Sequence, residues 1–327
     1  MTEPTPRFVA ITGATASGKT DLSLGLAEHL PVEIISMDSR QVYVGMDIGT
    51  DKVCQEARAS VRHHGLDLVR PDERYSAGQF ARDVRVWVEE IASRGAIPVL
   101  VGGTGFFLRV VTDPIFAEPT LDEDRRTALR SYLATLPTEV LARFVTELDP
   151  PRAAVAIQGG PQRMSRTVEV ALLSGVPLSR WHREAPTEAD GLSGVVFVLD
   201  LPRAEMDRRI DDRVLRMVER GFVDEVRGLL DAGYVDADPG MSGTGYREIS
   251  AHLRGELTLE EAMEEIRRNT RRYSRRQLTW FRNQLPESTI RIDAELPLFR
   301  QVETALAGIL GAGMNQGPIL DHPTNPG

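Results

Sequence analysis

The chain has 327 residues, 41% of them hydrophobic and 27% charged, with a formal net charge of -9. That length buries a substantial core and fits one large domain or a core with an insertion. No apolar run approaches the roughly 18 residues a membrane helix needs, and one cysteine, Cys54, excludes an internal disulfide or a multi-cysteine zinc site. The N-terminal residues MTEPTPRF show neither a basic nor an apolar leader segment, so the expected location is the cytoplasm. The negative balance argues against coating nucleic acid indiscriminately, but it leaves room for a local basic groove.

In chain order, Phe8 to Thr12 form a short apolar run ending at Gly13, and Asp21 to Leu30 carry leucines at helical spacing. This predicts strand, loop, helix. A second buried strand, VEIISMD, ends at Asp38; an amphipathic helix follows over Ala77 to Arg94, and a third strand, IPVLVGG, ends at Gly103. A fourth runs from Gly194 to Leu201. Near-continuous apolar strands alternating with helices require a parallel sheet covered on both faces, so the expected fold is α/β. From Pro114 to residue 193 the pattern turns to charged helical segments without a convincing strand, read as an all-helical insertion. The core then comprises 1–113 and 194–310. Pro202 opens a helix or helix pair reaching Ala232, with Gly233 as its stop. The last 17 residues, 311–327, are rich in Gly, Pro and Asn and are expected to be disordered.

The strongest local signal is Gly13-Ala14-Thr15-Ala16-Ser17-Gly18-Lys19-Thr20, a full phosphate-loop pattern between a strand and a helix. Its glycines let backbone N–H groups turn toward an anion, Lys19 adds a point charge, and the Thr20 hydroxyl suits Mg2+ bridging phosphate oxygens. Only Lys19 and Lys52 are lysines among 39 basic residues. A compact ammonium suits a tight cradle better than a planar guanidinium. Asp38 and the Gly102-Gly103-Thr104-Gly105 turn close their strands on the same carboxyl rim, where α/β folds place ligands. From the residues alone, Asp38 serves equally as a base or as a magnesium-holding or capping carboxylate. His63 and His64 are adjacent, lack a third ligand at metal spacing and are read as a loop. On Ile266 to Gln277, six arginines (267, 268, 271, 272, 275 and 276) share half of a helix, with Ile266, Tyr273, Trp280 and Phe281 opposite as core anchors. That face suits RNA phosphates, or it pairs with Glu260, Glu261, Glu264 and Glu265.

In one order the chain carries GATASGKT, EIISMDSRQVYVGMDIGTDK, PVLVGGTGFFLRVV, GPQRMSRTVEV, GTGYREI and RRQLTWFRN. Together these segments, from Phe8 to Asn283, resemble the bacterial tRNA dimethylallyltransferases; Ala14 departs from the proline common in that family. The resemblance implies an enzyme with a P-loop core in which residues 13–20 bind the pyrophosphate of dimethylallyl pyrophosphate, with Mg2+ at Thr20. It implies Asp38 as general base toward the N6 amine of adenine 37, beside the anticodon of tRNAs reading codons that begin with U. Thr104 and Lys19 would act near the reacting centre. The adenine must then leave its stack to reach the rim. Asp38, Ser39, Arg40, Gln41, Thr104, Arg126, Gln162, Arg163, Met164, Ser165, Arg166, Arg247, Arg272 and Arg276 are the implied tRNA contacts. A monomer suffices for this chemistry. A P-loop kinase or nucleotidase, and a noncatalytic RNA-binding switch, are the competing readings of the loop and the basic helix.

Overall fold

The computed structural model describes residues 7–116, 119, 121–185 and 187–314. Contacts divide the chain into two compact units, Met1–Asp113 with Gly191–Gly327, and Pro114–Asp190.

The larger unit begins with β1 (Phe8–Gly13), α1 (Lys19–Ala27), β2 (Val32–Ser36), α2 (Gln55–Ser60), β3 (His63–His64), α3 (Ala77–Ser93), β4 (Ile97–Val101) and α4 (Gly105–Thr112). The smaller unit holds β5 (Ile115–Phe116), α5 (Glu123–Ala134), α6 (Thr138–Leu148), α7 (Ala153–Gln158), α8 (Pro161–Ser174), α9 (Leu178–Glu184) and β6 (Thr187–Ala189). The larger unit resumes with β7 (Gly194–Asp200), α10 (Arg203–Glu219), α11 (Phe222–Asp231), α12 (Tyr246–Leu253), α13 (Leu259–Gln284), β8 (Ile290–Asp293) and α14 (Leu298–Gly311).

Six strands form one sheet in the order β3-β2-β4-β1-β7-β8, every pair parallel. The strands are apolar throughout because both faces are covered. Along β1, Val9 and Ile11 join a core with Leu22, Leu26, Phe197, Val302 and Ile309, while Phe8 and Ala10 join one with Phe80, Val84, Leu100 and Phe107. Alternation along one strand therefore feeds two layers. A third core joins α10 to α13 around Phe222, Tyr246, Met263 and Ile266.

The α/β parallel core agrees with the expectation, and the break between α10 and α11 falls at Gly221, whose φ of 96° only glycine adopts freely. Three expectations change. β8 adds a strand at the far edge, and His63 and His64 form the short edge strand β3 instead of a loop; His64 Nε2 lies 2.8 Å from Glu33. The insertion is not wholly helical, since β5 and β6 pair antiparallel. Its helices close on Leu133, Leu141, Val145, Met164 and Val168. The tail is helical to Gly311, and residues 315–327 lie outside the described residues.

Phe197 is fully buried on β7, and its ring fills the space left by Gly308 of α14. Phe197→Ala is expected to lower the unfolding free energy by about 3–5 kcal/mol, read from urea denaturation.

Candidate active site

The ends of β1, β2 and β4 meet at one rim of the sheet. β1 delivers the phosphate loop, in which Gly13 and Gly18 have φ of 149° and 92° and Ala16 holds a left-handed φ of 67°. That conformation strains a residue with a Cβ and occurs chiefly where surroundings enforce it. Gly13, Ala14 and Ser17 are buried, and the Ser17 hydroxyl has no hydrogen-bond partner among the described residues. Thr15, Ala16, Gly18, Lys19 and Thr20 line a cavity of about 500 Å³.

Lys19 opens α1 and folds back over the loop, donating to Gly13 O at 3.0 Å and Ala14 O at 2.8 Å. Burial, then the Arg213 guanidinium, bring its pKa down to about 8, against the opposing pull of Asp38 and Asp51. Its charged form is thus less favoured than in water, a cost that an arriving phosphate would relieve.

Asp38 lies just past β2 and faces the same cavity, with its Oδ1 accepting from the Arg40 N–H at 2.8 Å. Gln41 also lines it, accepting from Ser36 Oγ at 2.8 Å and donating to Thr50 O at 3.2 Å. Lys52 reaches the wall, but its buried ammonium is spent on Tyr43 O and Asp67 at 2.5 Å each and Asp47 at 2.8 Å. It holds the 43–52 loop in place. On the opposite side of that loop, Glu225 accepts from the N–H groups of Asp47, Ile48 and Gly49 and from the Tyr246 hydroxyl.

The glycines after β4 serve protein packing. A Cβ on Gly102 would sit 2.0 Å from Met37 O, one on Gly103 2.3 Å from Gln277 Nε2, and one on Gly105 2.2 Å from the Trp280 ring. Their small size lets β2, β4 and α13 converge, and it leaves Thr104 at the start of α4. Tyr273 of α13 lies beside them: desolvation of its hydroxyl end, then the Asp38 charge, push its pKa up, with Thr104 acting against the shift. At 39% exposure, Tyr273 is not the core anchor that helical spacing suggested, because its side of α13 faces the rim.

Sequence reasoning missed the arginines of α10. Arg209 and Arg213 line the cavity wall together with Arg216; Arg209 comes within 4 Å of where a Gly18 Cβ would sit, and Arg213 pairs with Asp51 at 3.5 Å. Their spacing of four and three residues is helical and was available in RRIDDRVLR.

The remaining predicted contacts are scattered. Ser39 is half-buried, and Arg40 is tied to Pro239 O at 2.8 Å and Ser242 Oγ at 3.3 Å. Arg247 is exposed on α12. Along α13, Arg267 and Arg268 pair with glutamates and Arg271 with Asp211, whereas Arg272, Arg275 and Arg276 are exposed and have no ion-pair partner among the described residues. The six-arginine face is therefore half internal pairing. In the smaller unit, Gln162 and Arg163 are exposed and Ser165 is half-buried. Arg126 and Arg166 both bond the buried carboxylate of Glu169, at 2.9 Å and 2.6 Å. Met164 is fully buried in that unit's core, which removes its side chain from ligand contact and corrects its assignment to RNA.

A family model described as IPP transferase matches residues 41–284. The tRNA dimethylallyltransferase of Syntrophobacter fumaroxidans is 42% identical over 274 residues, covering 84% of this chain and 80% of the relative. That of Geobacter metallireducens is 41% identical over 280 residues, covering 86% and 91%. Among solved structures, the full-length tRNA isopentenylpyrophosphate transferase of Bacillus halodurans is similar with a TM-score of 0.67 at 34% identity, over 94% of this chain and 97% of that one. A eukaryotic dimethylallyltransferase crystallised acting on tRNA shares the fold, with a TM-score of 0.78 at 24% identity over 96% of this chain and 81% of that one. With three-quarters of its length matched by the family model and relatives above 40% identity along most of it, the chain belongs to the IPP transferase family.

Proposed function

We propose that this protein transfers the dimethylallyl group of dimethylallyl pyrophosphate to the N6 amine of adenine 37 in tRNAs reading codons that begin with U, releasing pyrophosphate. The observation that carries this reading is the placement of Asp38 on the same cavity as the phosphate loop, with Thr104 at the adjoining strand end. Alkylation of a weakly nucleophilic amine benefits from a base, and Asp38 lines the cavity where one would act. The similarity to tRNA dimethylallyltransferases supports the transfer of a dimethylallyl group to tRNA.

In this mechanism the loop amides and Lys19 hold the pyrophosphate, and Arg209 and Arg213 add positive charge where negative charge grows on the departing pyrophosphate. The N6 nitrogen attacks C1 of the isoprenoid, the C1–O bond breaks, and the N6 proton passes to the Asp38 carboxylate. The Thr104 hydroxyl, at the start of α4, orients the amine beside it. Arg40, Gln41, Arg247, Arg272 and Arg276 of the larger unit would meet the anticodon loop, whose unpaired bases make extrusion of the adenine inexpensive, and Gln162, Arg163 and Arg166 of the smaller unit are further proposed tRNA contacts.

The Thr20 hydroxyl at the cavity fits Mg2+. Among the described residues no three His, Cys, Asp or Glu side chains gather as a ready-made metal site, so the ion would draw its other ligands from pyrophosphate and water, as Mg2+ commonly does. When bound it would neutralise charge on the departing pyrophosphate. Among the described residues no helix is long and apolar enough to cross a membrane. In this reading the protein works in the cytoplasm as a monomer.

Asp38→Asn is expected to slow single-turnover prenyl transfer to an anticodon stem-loop by about 10²–10⁴-fold while leaving donor binding nearly unchanged. Turnover within a few-fold of wild type would remove Asp38 from the base role. For Lys19, the lowered pKa sets the sign of a pH effect. The ammonium present below about pH 8 is lost as pH rises through that value, so affinity for dimethylallyl pyrophosphate without RNA weakens several-fold above it. Titration calorimetry checks this, with Lys19→Ala expected to bind weakly and to show no such step.

A further inference from the structure

Gln277 is 7% exposed and lies on the buried side of α13, and every part of its amide that can bridge two loops does so. Its Oε1 accepts from the Thr15 N–H at 2.9 Å and the Thr15 hydroxyl at 3.2 Å, and its Nε2 donates to Gly103 O at 2.8 Å. Thr15 belongs to the phosphate loop, and Gly103 immediately precedes Thr104. One planar side chain thus ties the donor loop to the acceptor turn, and both to α13.

We propose that Gln277 is a positioning residue that couples RNA engagement on α13 to the arrangement of the donor loop. This rests on the functional reading above. α13 is an unbroken helix of 26 residues that carries Arg272, Arg275 and Arg276 exposed on one side and Gln277 on the other. Such a helix moves as a stiff body, so phosphates drawing on its arginines displace Gln277 with it. The amide is planar and its bonds are directional, so Thr15 and the Gly103 carbonyl follow together instead of slipping separately. Gly103 has no room for a Cβ because this contact is so close, so the turn cannot move freely past Gln277. The consequence is that the pyrophosphate subsite and the acceptor rim are set by the same contact.

A buried amide that merely stabilises the fold would lower the melting temperature when removed, but it would not link the two substrates. The test measures affinity for inorganic pyrophosphate with and without an anticodon stem-loop RNA, in wild type and in Gln277→Met, which keeps the volume and loses the hydrogen bonds. In wild type the RNA is expected to tighten pyrophosphate binding at least about fivefold, within the usual range of coupling between sites. In Gln277→Met the ratio should fall to about one while the RNA still binds. A ratio retained in the variant, or absent in wild type, overturns the proposal. Should Gln277→Met fail to fold, Gln277→Glu keeps the acceptor toward Thr15 and loses the donor toward Gly103. Its ratio of pyrophosphate affinities with and without RNA is expected to fall toward one, and a ratio kept at the wild-type value overturns the proposal. Prenyl transfer by wild type is assayed in the same preparation: no product sinks the functional reading, whereas product with unchanged coupling sinks only the role of Gln277.

Discussion

The site depends on how closely the backbone after β4 approaches the end of β2. Gly102 lies so near Met37 O that a single methyl group would collide with it, and Gly103 and Gly105 are pressed in the same way by Gln277 and Trp280. Because these three positions lack side chains, β1, β2 and β4 deliver their loops to one small region, and α13 can lie across it. A larger residue at Gly103 or Gly105 would push α13 away from the rim and open the link to Thr15, and one at Gly102 would force the end of β4 away from Met37. The phosphate loop supplies the anion site, but the glycine-mediated convergence places Asp38 and Thr104 beside it.

The charge distribution follows the same geometry. A chain of net charge -9 gathers arginines from α10 at the phosphate loop and leaves Arg272, Arg275 and Arg276 of α13 exposed without an ion-pair partner among the described residues. The arginines at the front of α13 are held by carboxylates, so positive potential is confined to part of the helix. Lys19 and Lys52 divide the work of the two lysines. Lys52 is consumed by three oxygens that shape the 43–52 loop, and Lys19 alone sits where an anion can reach it, resting on loop carbonyls that a phosphate would outcompete. Local charge decides what binds here, while the overall balance discourages indiscriminate contact with nucleic acid.

Much of the rim was legible because its signals are local. The phosphate-loop spacing, the apolar runs ending at Asp38 and Gly103, and the change to charged helices at Pro114 each reflect one element at a time. What escaped depended on tertiary packing. β3 has two residues and β8 four, too short for period or composition to register, and only the neighbouring strands make them strands. Helical spacing put Tyr273 opposite the arginines of α13 but could not tell that this side meets Thr104 instead of apolar core. Met164 sits between polar neighbours in QRMSR, so its burial is visible only once α5 and α6 pack against α8. The arginines of α10 were hidden in a helix dense with charge, where ion pairing is the commoner fate, and the GTGYRE segment reads as a turn until Glu225 and Glu248 are seen tying it down.

The central claim is that this rim joins an isoprenoid to RNA and does not use its phosphate loop on a nucleotide. The direct measurement follows label from radiolabelled dimethylallyl pyrophosphate into an anticodon stem-loop with adenines on its 3′ side, in the presence of Mg2+, beside a parallel reaction in which labelled ATP replaces the isoprenoid. The account predicts labelled RNA that requires the adenine, and no consumption of ATP. Hydrolysis or transfer from ATP with unlabelled RNA would contradict it.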